Sequence, residues 1–370
     1  MKTGLYIHLP FCKQKCNYCD FASFAGRENL IDDYLKALAK EISLSPLQHA
    51  ETLYIGGGTP SVLSPAQLTQ LVKLIENHFG PISSFAESTF EANPESLTIE
   101  KLQLLKKAGF NRLSMGLQSF NDNELRALGR IHDAATFVRA YQAAREAGFK
   151  NINVDLIAGL PGQTLESFSE SLSRLISLRP EHLSVYGLQI EEGTPFFEQG
   201  IICDQLLMRR MLEKTRATLQ TAGYHHYEIS NFALPGHEAK HNMHYWRDGD
   251  YLGVGSAAVS FLAGVRQQNT PDLKEYINRL QQGKSPVVFS EQLTGKEREG
   301  EKLMLAFRQL DGVELSPLQE KFFSREIERH LQNGLLERDG KKVKLSKEGL
   351  FLANEVFCSF VAPFDEDTCN

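Results

Sequence analysis

The stretch LPFCKQKCNYCDF, Leu9 to Phe21, places three cysteines, Cys12, Cys16 and Cys19, within eight positions. It follows GLYIHL, Gly4 to Leu9, an alternating run that predicts a first β-strand. The C-x3-C-x2-C loop supplies three thiolates, and Phe21 stands where a fourth would be useful. A structural zinc site usually takes four protein ligands, and no second Cys/His pair follows at suitable spacing. A redox or nucleophilic cysteine does not require three in this arrangement. An iron–sulfur cluster is normally held by four cysteines, so three leave one iron of a [4Fe–4S] cluster without a thiolate. An open metal position is how such a site admits a substrate or cofactor. Cys203, Cys358 and Cys369 are scattered and read as buried or incidental thiols, and six cysteines in 370 residues make no disulfide framework.

Outward from this loop the first 225 or so residues alternate between strand-like and helix-like segments. GLYIHL, TLYIGGG, STFEANP, RLSMGLQS, NINVDLIAGLP and HLSVYGLQI read as strands. Between them, apolar residues recur at three- and four-residue spacing in LIDDYLKALAKEISL, SPAQLTQLVKLIENHF, TIEKLQLLKKAGF, DAATFVRAYQAAREAGF and TLESFSESLSRLISL. Ser64-Pro65 and Asp133 suit helix starts, and Gly109 and Gly148 suit helix ends. The alternation predicts an α/β fold with parallel strands. Six repeats without a dinucleotide fingerprint favour a partial (β/α)6 TIM-like barrel.

The strands also predict an interior. Tyr6 and His8 share one face of the first strand, Thr89, Glu91 and Asn93 of the third, Ser114, Gly116 and Gln118 of the fourth, and Asn153 and Asp155 of the fifth. Their opposite faces are apolar. A closed barrel fills its interior with branched apolar residues. A polar interior holding Glu91 and Asp155 is costly without partners, and the natural partner is a polar ligand across the strand ends. HLSVYGLQI does not fit the alternation cleanly.

From about residue 226 to 290 the chain reads as a loop-rich connecting segment holding four of the eleven histidines. From about Glu291 to the end it reads as a smaller α+β, winged-helix-like domain: a helix, a hairpin across Asp339-Gly340 and a second helix. No dense basic stripe accompanies this unit and the formal net charge is −6, so nucleic acid is not an expected partner and the unit reads as a packing module. Hydrophobic content of 42% and charged content of 23% suit an ordinary globular protein. No apolar run is long enough for a membrane span, and the weak match of MKTGLYIHLPFC to a signal peptide points to a cytoplasmic protein.

CKQKCNYC after LYIHLPF resembles the radical S-adenosylmethionine (SAM) superfamily. The resemblance implies that Cys12, Cys16 and Cys19 hold a [4Fe–4S] cluster and that SAM chelates the remaining iron through its amino and carboxylate groups. One-electron reduction there cleaves SAM to methionine and a 5′-deoxyadenosyl radical. YIGGGTPS matches the superfamily's GGGTP loop, which contacts the SAM amino group. FEANPE, MGLQSFND, LGRIHD and VDLIAGLPGQT match, in order, the oxygen-independent coproporphyrinogen oxidase-like branch. By position, SAM-contacting roles fall on Tyr6, Tyr18, Gly57, Gly58, Thr59, Glu91, Gln118, Arg130 and Asp155.

That branch holds a true oxidase and a heme-chaperone group. The oxidase typically carries a long segment before the cluster and reads C-x3-C-x2-C-x-C. Here eleven residues precede Cys12, and Phe21 takes the last position, as in the chaperone group. HNMHYW, His241 to Trp246, is similar to a stretch linked to heme handling in the family. His241 is the implied axial ligand, with Asn242, His244 and Tyr245 as secondary candidates. DYLGVGSAAVSF resembles a glycine-rich family stretch in which relatives often have His where Val259 stands. The resemblance therefore implies heme binding and delivery to an acceptor hemoprotein, with an electron donor for the cluster. The alternative is a radical enzyme that decarboxylates coproporphyrinogen III. Peripheral membrane association and a homodimer stay open, and a nucleic-acid binder with a degenerate barrel is the reading from another class.

Overall fold

The computed structural model describes residues 3–364, so Cys369 lies outside the described residues. Six strands, β1 (Gly4–Leu9), β2 (Thr52–Gly57), β3 (Glu87–Ala92), β4 (Arg112–Gln118), β5 (Ile152–Ala158) and β6 (His182–Gly187), pair parallel in chain order. They are the six strands expected from the alternation. Between them run α1 (Ile31–Ser43), α2 (Pro65–Phe79), α3 (Ile99–Ala108), α4 (Ala134–Glu146) and α5 (Leu165–Ser177), and α6 (Gln205–Thr221) follows β6.

The helix ends obey the local chemistry. Ser64 accepts from the Gln67 N–H while the Gln67 side chain returns to the Ser64 N–H, with Pro65 in the first turn. Asp133 caps α4 through the Thr136 N–H. Gly109 ends α3 in the left-handed region at φ 105°, which a side chain would resist. The helices bury Tyr34, Leu38, Leu71, Leu105 and Phe137 against one face of the sheet, where Leu5, Ile7, Leu53, Phe90, Leu113 and Val154 point. The even-numbered residues of β1 and the polar residues of β3 to β5 are left for the other face.

The array is open. At one side β6 pairs antiparallel with β7 (Asn231–Ala233), which the short strand His225–His226 extends. At the other, β1 pairs parallel with β8 (Tyr251–Val254), and β9 (Val259–Leu262), β10 (Val265–Asn269) and β11 (Val287–Gln292) continue antiparallel. The whole is one mixed sheet of twelve strands. This corrects the expectation of a loop-rich stretch after residue 225. Strands of three to six residues broken by glycines give too short an alternation to recognise, and they form because β1 and β6 offer them a ladder. HNMHYW lies on a short helix, α7 (Lys240–Trp246), and α8 (Leu273–Gln281) packs Tyr276 onto Tyr34.

The C-terminal residues form α9 (Gly295–Ala306), β12 (Val313–Glu314), α10 (Pro317–Gln332), β13 (Leu336–Asp339), β14 (Lys342–Leu345) and α11 (Ala353–Cys358). Their own core holds Leu303, Phe307, Phe323, Ile327, Val343 and Phe360. Asp339 pairs with Lys342, so Gly340 and Lys341 form the two-residue turn of the expected hairpin, with Gly340 at φ 59°. Arg209 of α6 ties this unit to the sheet, donating to both oxygens of Glu348 at 2.7 Å. No helix of the described residues is long and apolar enough to cross a membrane.

Candidate cofactor site

The cysteine loop is fixed by partners far along the chain. The Asn17 N–H donates to Leu128 O at 2.9 Å and its side-chain amide to Ala127 O at 2.9 Å; the Phe196 N–H donates to Asn17 O at 3.0 Å. Gln14 donates to Gly129 O at 2.8 Å. Tyr18 packs on a small apolar cluster of Leu128, Ile157, Leu160, Leu188 and Phe196. A loop so held presents its thiols to one place, and Cys12, Cys16 and Cys19 line a cavity of about 140 Å³ at the ends of the strands.

The same cavity is lined by Gly57, Gly58, Thr59, Glu91, Gln118, Arg130, Asp155 and Tyr18. The structure thus brings together eight of the nine residues assigned to SAM from the resemblance. Tyr6 lies elsewhere: its hydroxyl meets His8 Nδ1 at 2.9 Å and its ring lines a neighbouring cavity. The glycine loop passes close to the cysteine strand. A Cβ on Gly58 would sit 2.7 Å from Phe11 O, and Gly57 is at φ 111°. Thr59 donates to Cys12 Sγ at 3.5 Å and accepts from Asn93 Nδ2 at 3.0 Å. Arg130 donates to Cys16 Sγ at 3.6 Å, to Asn93 Oδ1 at 2.7 Å and to Gly116 O at 2.8 Å.

The two carboxylates face this cavity from adjoining parts of the sheet. Burial pushes the Glu91 carboxyl up to about 7, against the hydrogen bond from Tyr54, whose hydroxyl is 2.5 Å from Oε1. The Gly57 N–H reaches Oε2 at 3.3 Å. Burial also raises Asp155, opposed by hydrogen bonds from Asn153 and Ser184. Gln118 adopts φ 72° where the register between β4 and β5 shifts, an unusual conformation for a non-glycine residue. Its side-chain amide oxygen, Oε1, accepts from the Tyr186 hydroxyl at 3.3 Å.

Several contributors were not singled out from the sequence. β6 does continue the polar interior: His182 bonds Asn153 Oδ1 at 2.6 Å, Ser184 donates to the same oxygen at 3.1 Å, and Tyr186 reaches Gln118. The signal was present in the even positions 182, 184 and 186, but Tyr186 and His182 blur a polar face. Tyr54 and Arg112 also serve this interior, and Arg112 is buried with its Nε without a partner among the described residues.

Behind the polar interior lies an aromatic cavity of about 590 Å³, lined by Tyr6, Tyr54, Tyr245, Trp246, Tyr251 and Phe261 among others. His241 and Asn242 open on it, as do Val259 and Phe21. His241 is buried, with Nδ1 2.8 Å from the Thr52 hydroxyl and Nε2 2.8 Å from the Tyr245 hydroxyl. Burial pulls its pKa down to about 3, so the ring is neutral. His244 turns away, its Nε2 bonding Asp250 O at 2.6 Å.

Residues 6–175 match the model of the radical SAM superfamily. Over 98% of this chain and 99% of its own length, the heme chaperone HemW of Bacillus subtilis is 37% identical, and over 97% of both chains that of Lactococcus lactis is 34% identical. The chain belongs to the HemW family of the radical SAM superfamily. Among solved structures, coproporphyrinogen III oxidase (HemN) from Escherichia coli superposes with a TM-score of 0.85 at 29% identity, covering 98% of this chain and 90% of that one. The α/β fold with its open parallel array is thus shared across the two.

Superfamily membership implies a [4Fe–4S] cluster and SAM, and the donor set of this HemW-family chain fits them. Three thiols face one cavity beside a guanidinium and a threonine hydroxyl. Burial raises the Cys12 and Cys19 thiols, and a bound positive charge such as iron would favour their thiolates. Among the described residues no three His, Cys, Asp or Glu side chains are placed to hold a metal ion. A cluster makes a different demand, one thiolate to each of several irons.

Proposed function

We propose that this protein binds heme and hands it to an acceptor hemoprotein, using a [4Fe–4S] cluster and SAM held in the cavity at the strand ends. The observation that carries the reading is similarity along nearly the whole chain to curated heme chaperones of several bacteria, not to the cluster region alone. We assign residues 1–225 to the cofactor-binding partial barrel, 226–290 to the segment bearing HNMHYW, and 291–370 to the winged-helix-like unit. The protein works in the cytoplasm, where thiols stay reduced.

Cys12, Cys16 and Cys19 hold the cluster. Gly57, Gly58 and Thr59 receive the SAM amino group, with Glu91 beneath them. Gln118, Arg130, Asp155 and Tyr18 complete the pocket, and Tyr6 supports it from the aromatic side. When bound, the cluster supplies one electron to SAM. His241, Asn242 and Tyr245 serve heme from the wall of the aromatic cavity. His241 Nε2 is the nitrogen on offer, because Nδ1 is occupied by Thr52, and ligation requires the Tyr245 hydroxyl to give way.

The test is anaerobic reconstitution with iron and sulfide, followed by heme titration. A saturable Soret shift that His241→Ala removes supports the reading; no saturable heme binding rejects it. The likeness to coproporphyrinogen III oxidase favours a second reading, oxidative decarboxylation of a porphyrinogen. It requires CO2 release from coproporphyrinogen III with SAM and a reductant, and the same preparation answers both.

A further inference from the structure

A larger cavity, about 740 Å³, lies between the parallel sheet and the C-terminal unit. Its wall is mostly apolar, with Met208, Leu212, Phe232, Phe351 and Phe357. Three arginines open on it. Arg209 is already neutralised, donating to Glu348 at 2.7 Å and to Glu213 at 3.2 Å.

The other two are not. Among the described residues neither Arg216 nor Arg308 has a carboxylate within ion-pair distance, and neither guanidinium donates a hydrogen bond. Arg308 Nε is buried without a partner. Each is half-buried and laid on an aromatic ring instead, Arg216 at 4.3 Å from the Phe351 centroid and Arg308 at 4.4 Å from that of Trp246. Glu213 acts on Arg216 and Glu228 on Arg308 through space only: Glu213 pairs with Arg209, and no ion pair joins Glu228 to Arg308. Asp20 and Glu191 also line the cavity, and neither pairs with these arginines.

A guanidinium carries five donors in a planar fork that matches a carboxylate. Two of them without a bonded acid, set against aromatic and aliphatic side chains, describe the complement of a specific ligand class: an apolar body bearing at least two carboxylates. We propose that this cavity binds the carboxylate edge of a porphyrin, with Arg216 and Arg308 each receiving one carboxylate. Phe21 and Asp20 line both this cavity and the aromatic one, so a ring anchored here extends toward the HNMHYW wall. The proposal deepens the heme reading above and rests on it.

The experiment compares heme with heme dimethyl ester, which lacks free carboxylates, on the full-length cluster-loaded protein and on Arg216→Gln, Arg308→Gln and the double variant. Each single change is expected to weaken heme about tenfold or more, and the ester is expected to bind all four proteins alike. Ester binding also reports that the variants keep their fold. Unchanged heme affinity in the double variant overturns the proposal while leaving the heme reading intact, as does an equal loss for heme and ester. Should the parent protein bind neither, coproporphyrin III is the remaining probe. Its binding, lost in the double variant, keeps the arginine site and sinks the heme reading; its failure to bind sinks both.

Discussion

Tyr54 touches both functional regions at once. Its hydroxyl donates to Glu91 at 2.5 Å, inside the cofactor cavity, and its ring stacks on His241 with centroids 5.2 Å apart at 28°. The hydrogen bond favours the Glu91 carboxylate, which burial otherwise keeps protonated up to about 7. SAM carries a positive sulfonium, so its binding is expected to strengthen as pH rises through that value. Tyr54→Phe keeps the stack and removes the bond, and should move the midpoint of the pH profile upward. Calorimetry of SAM binding between pH 6 and 9 on reconstituted protein checks this; an unmoved midpoint removes Glu91 from the SAM site.

Two buried carboxyls tax the folded state at neutral pH. Glu91 and Glu41 are both raised to about 7 by burial, and Glu41 is held by Tyr276, Gly255 N–H and Asn269. A carboxyl raised on folding binds its proton more tightly in the native state. Stability of the cofactor-free protein therefore falls as pH rises from about 4.5 to about 7, by on the order of 3 kcal/mol for each group. Glu91→Gln should flatten that slope by one group's share in urea unfolding curves. A slope left as steep as in the parent contradicts the burial argument.

Gly58→Ala is expected to destabilise the protein by about 1–3 kcal/mol, because the new methyl meets backbone atoms of Phe11 that have no room to move. It should also lower iron content by displacing Cys12, the next residue. Denaturant midpoint and iron analysis on the same variant decide the matter, and a fully stable variant with full iron loading is the contrary result.

Cys12→Ser, Cys16→Ser and Cys19→Ser are each expected to lose most cluster iron and sulfide after anaerobic reconstitution. Cys203→Ser and Cys358→Ser, outside the cavity, should load normally. Equal loading in all five variants is incompatible with the assigned ligands.

Tyr245→Phe separates two roles for HNMHYW. If His241 Nε2 ligates heme, deleting the hydroxyl that competes for that nitrogen should leave heme affinity equal or tighter, while His241→Ala abolishes the Soret shift. A Tyr245→Phe variant that loses heme as completely as His241→Ala points instead to the tyrosine as the contacting residue.

What the sequence determined by itself is local. Period-two alternation in β1, β3, β4 and β5 marked those strands and separated the polar interior from the helix-facing side, because side chains of a strand can only point to two faces. Cys12, Cys16 and Cys19 share one loop, and their spacing needs no long-range information. The tertiary structure decided everything that depends on residues distant in the chain meeting. Gly4 pairs with Tyr251, and so short strands without a readable pattern became part of the sheet. Tyr6 left the cofactor cavity for the aromatic one, which β1 borders with both Tyr6 and His8. Arg216 and Arg308 gained their cavity only when the C-terminal unit closed over α6, since a guanidinium's lack of an acid is a fact about its surroundings and not about its sequence.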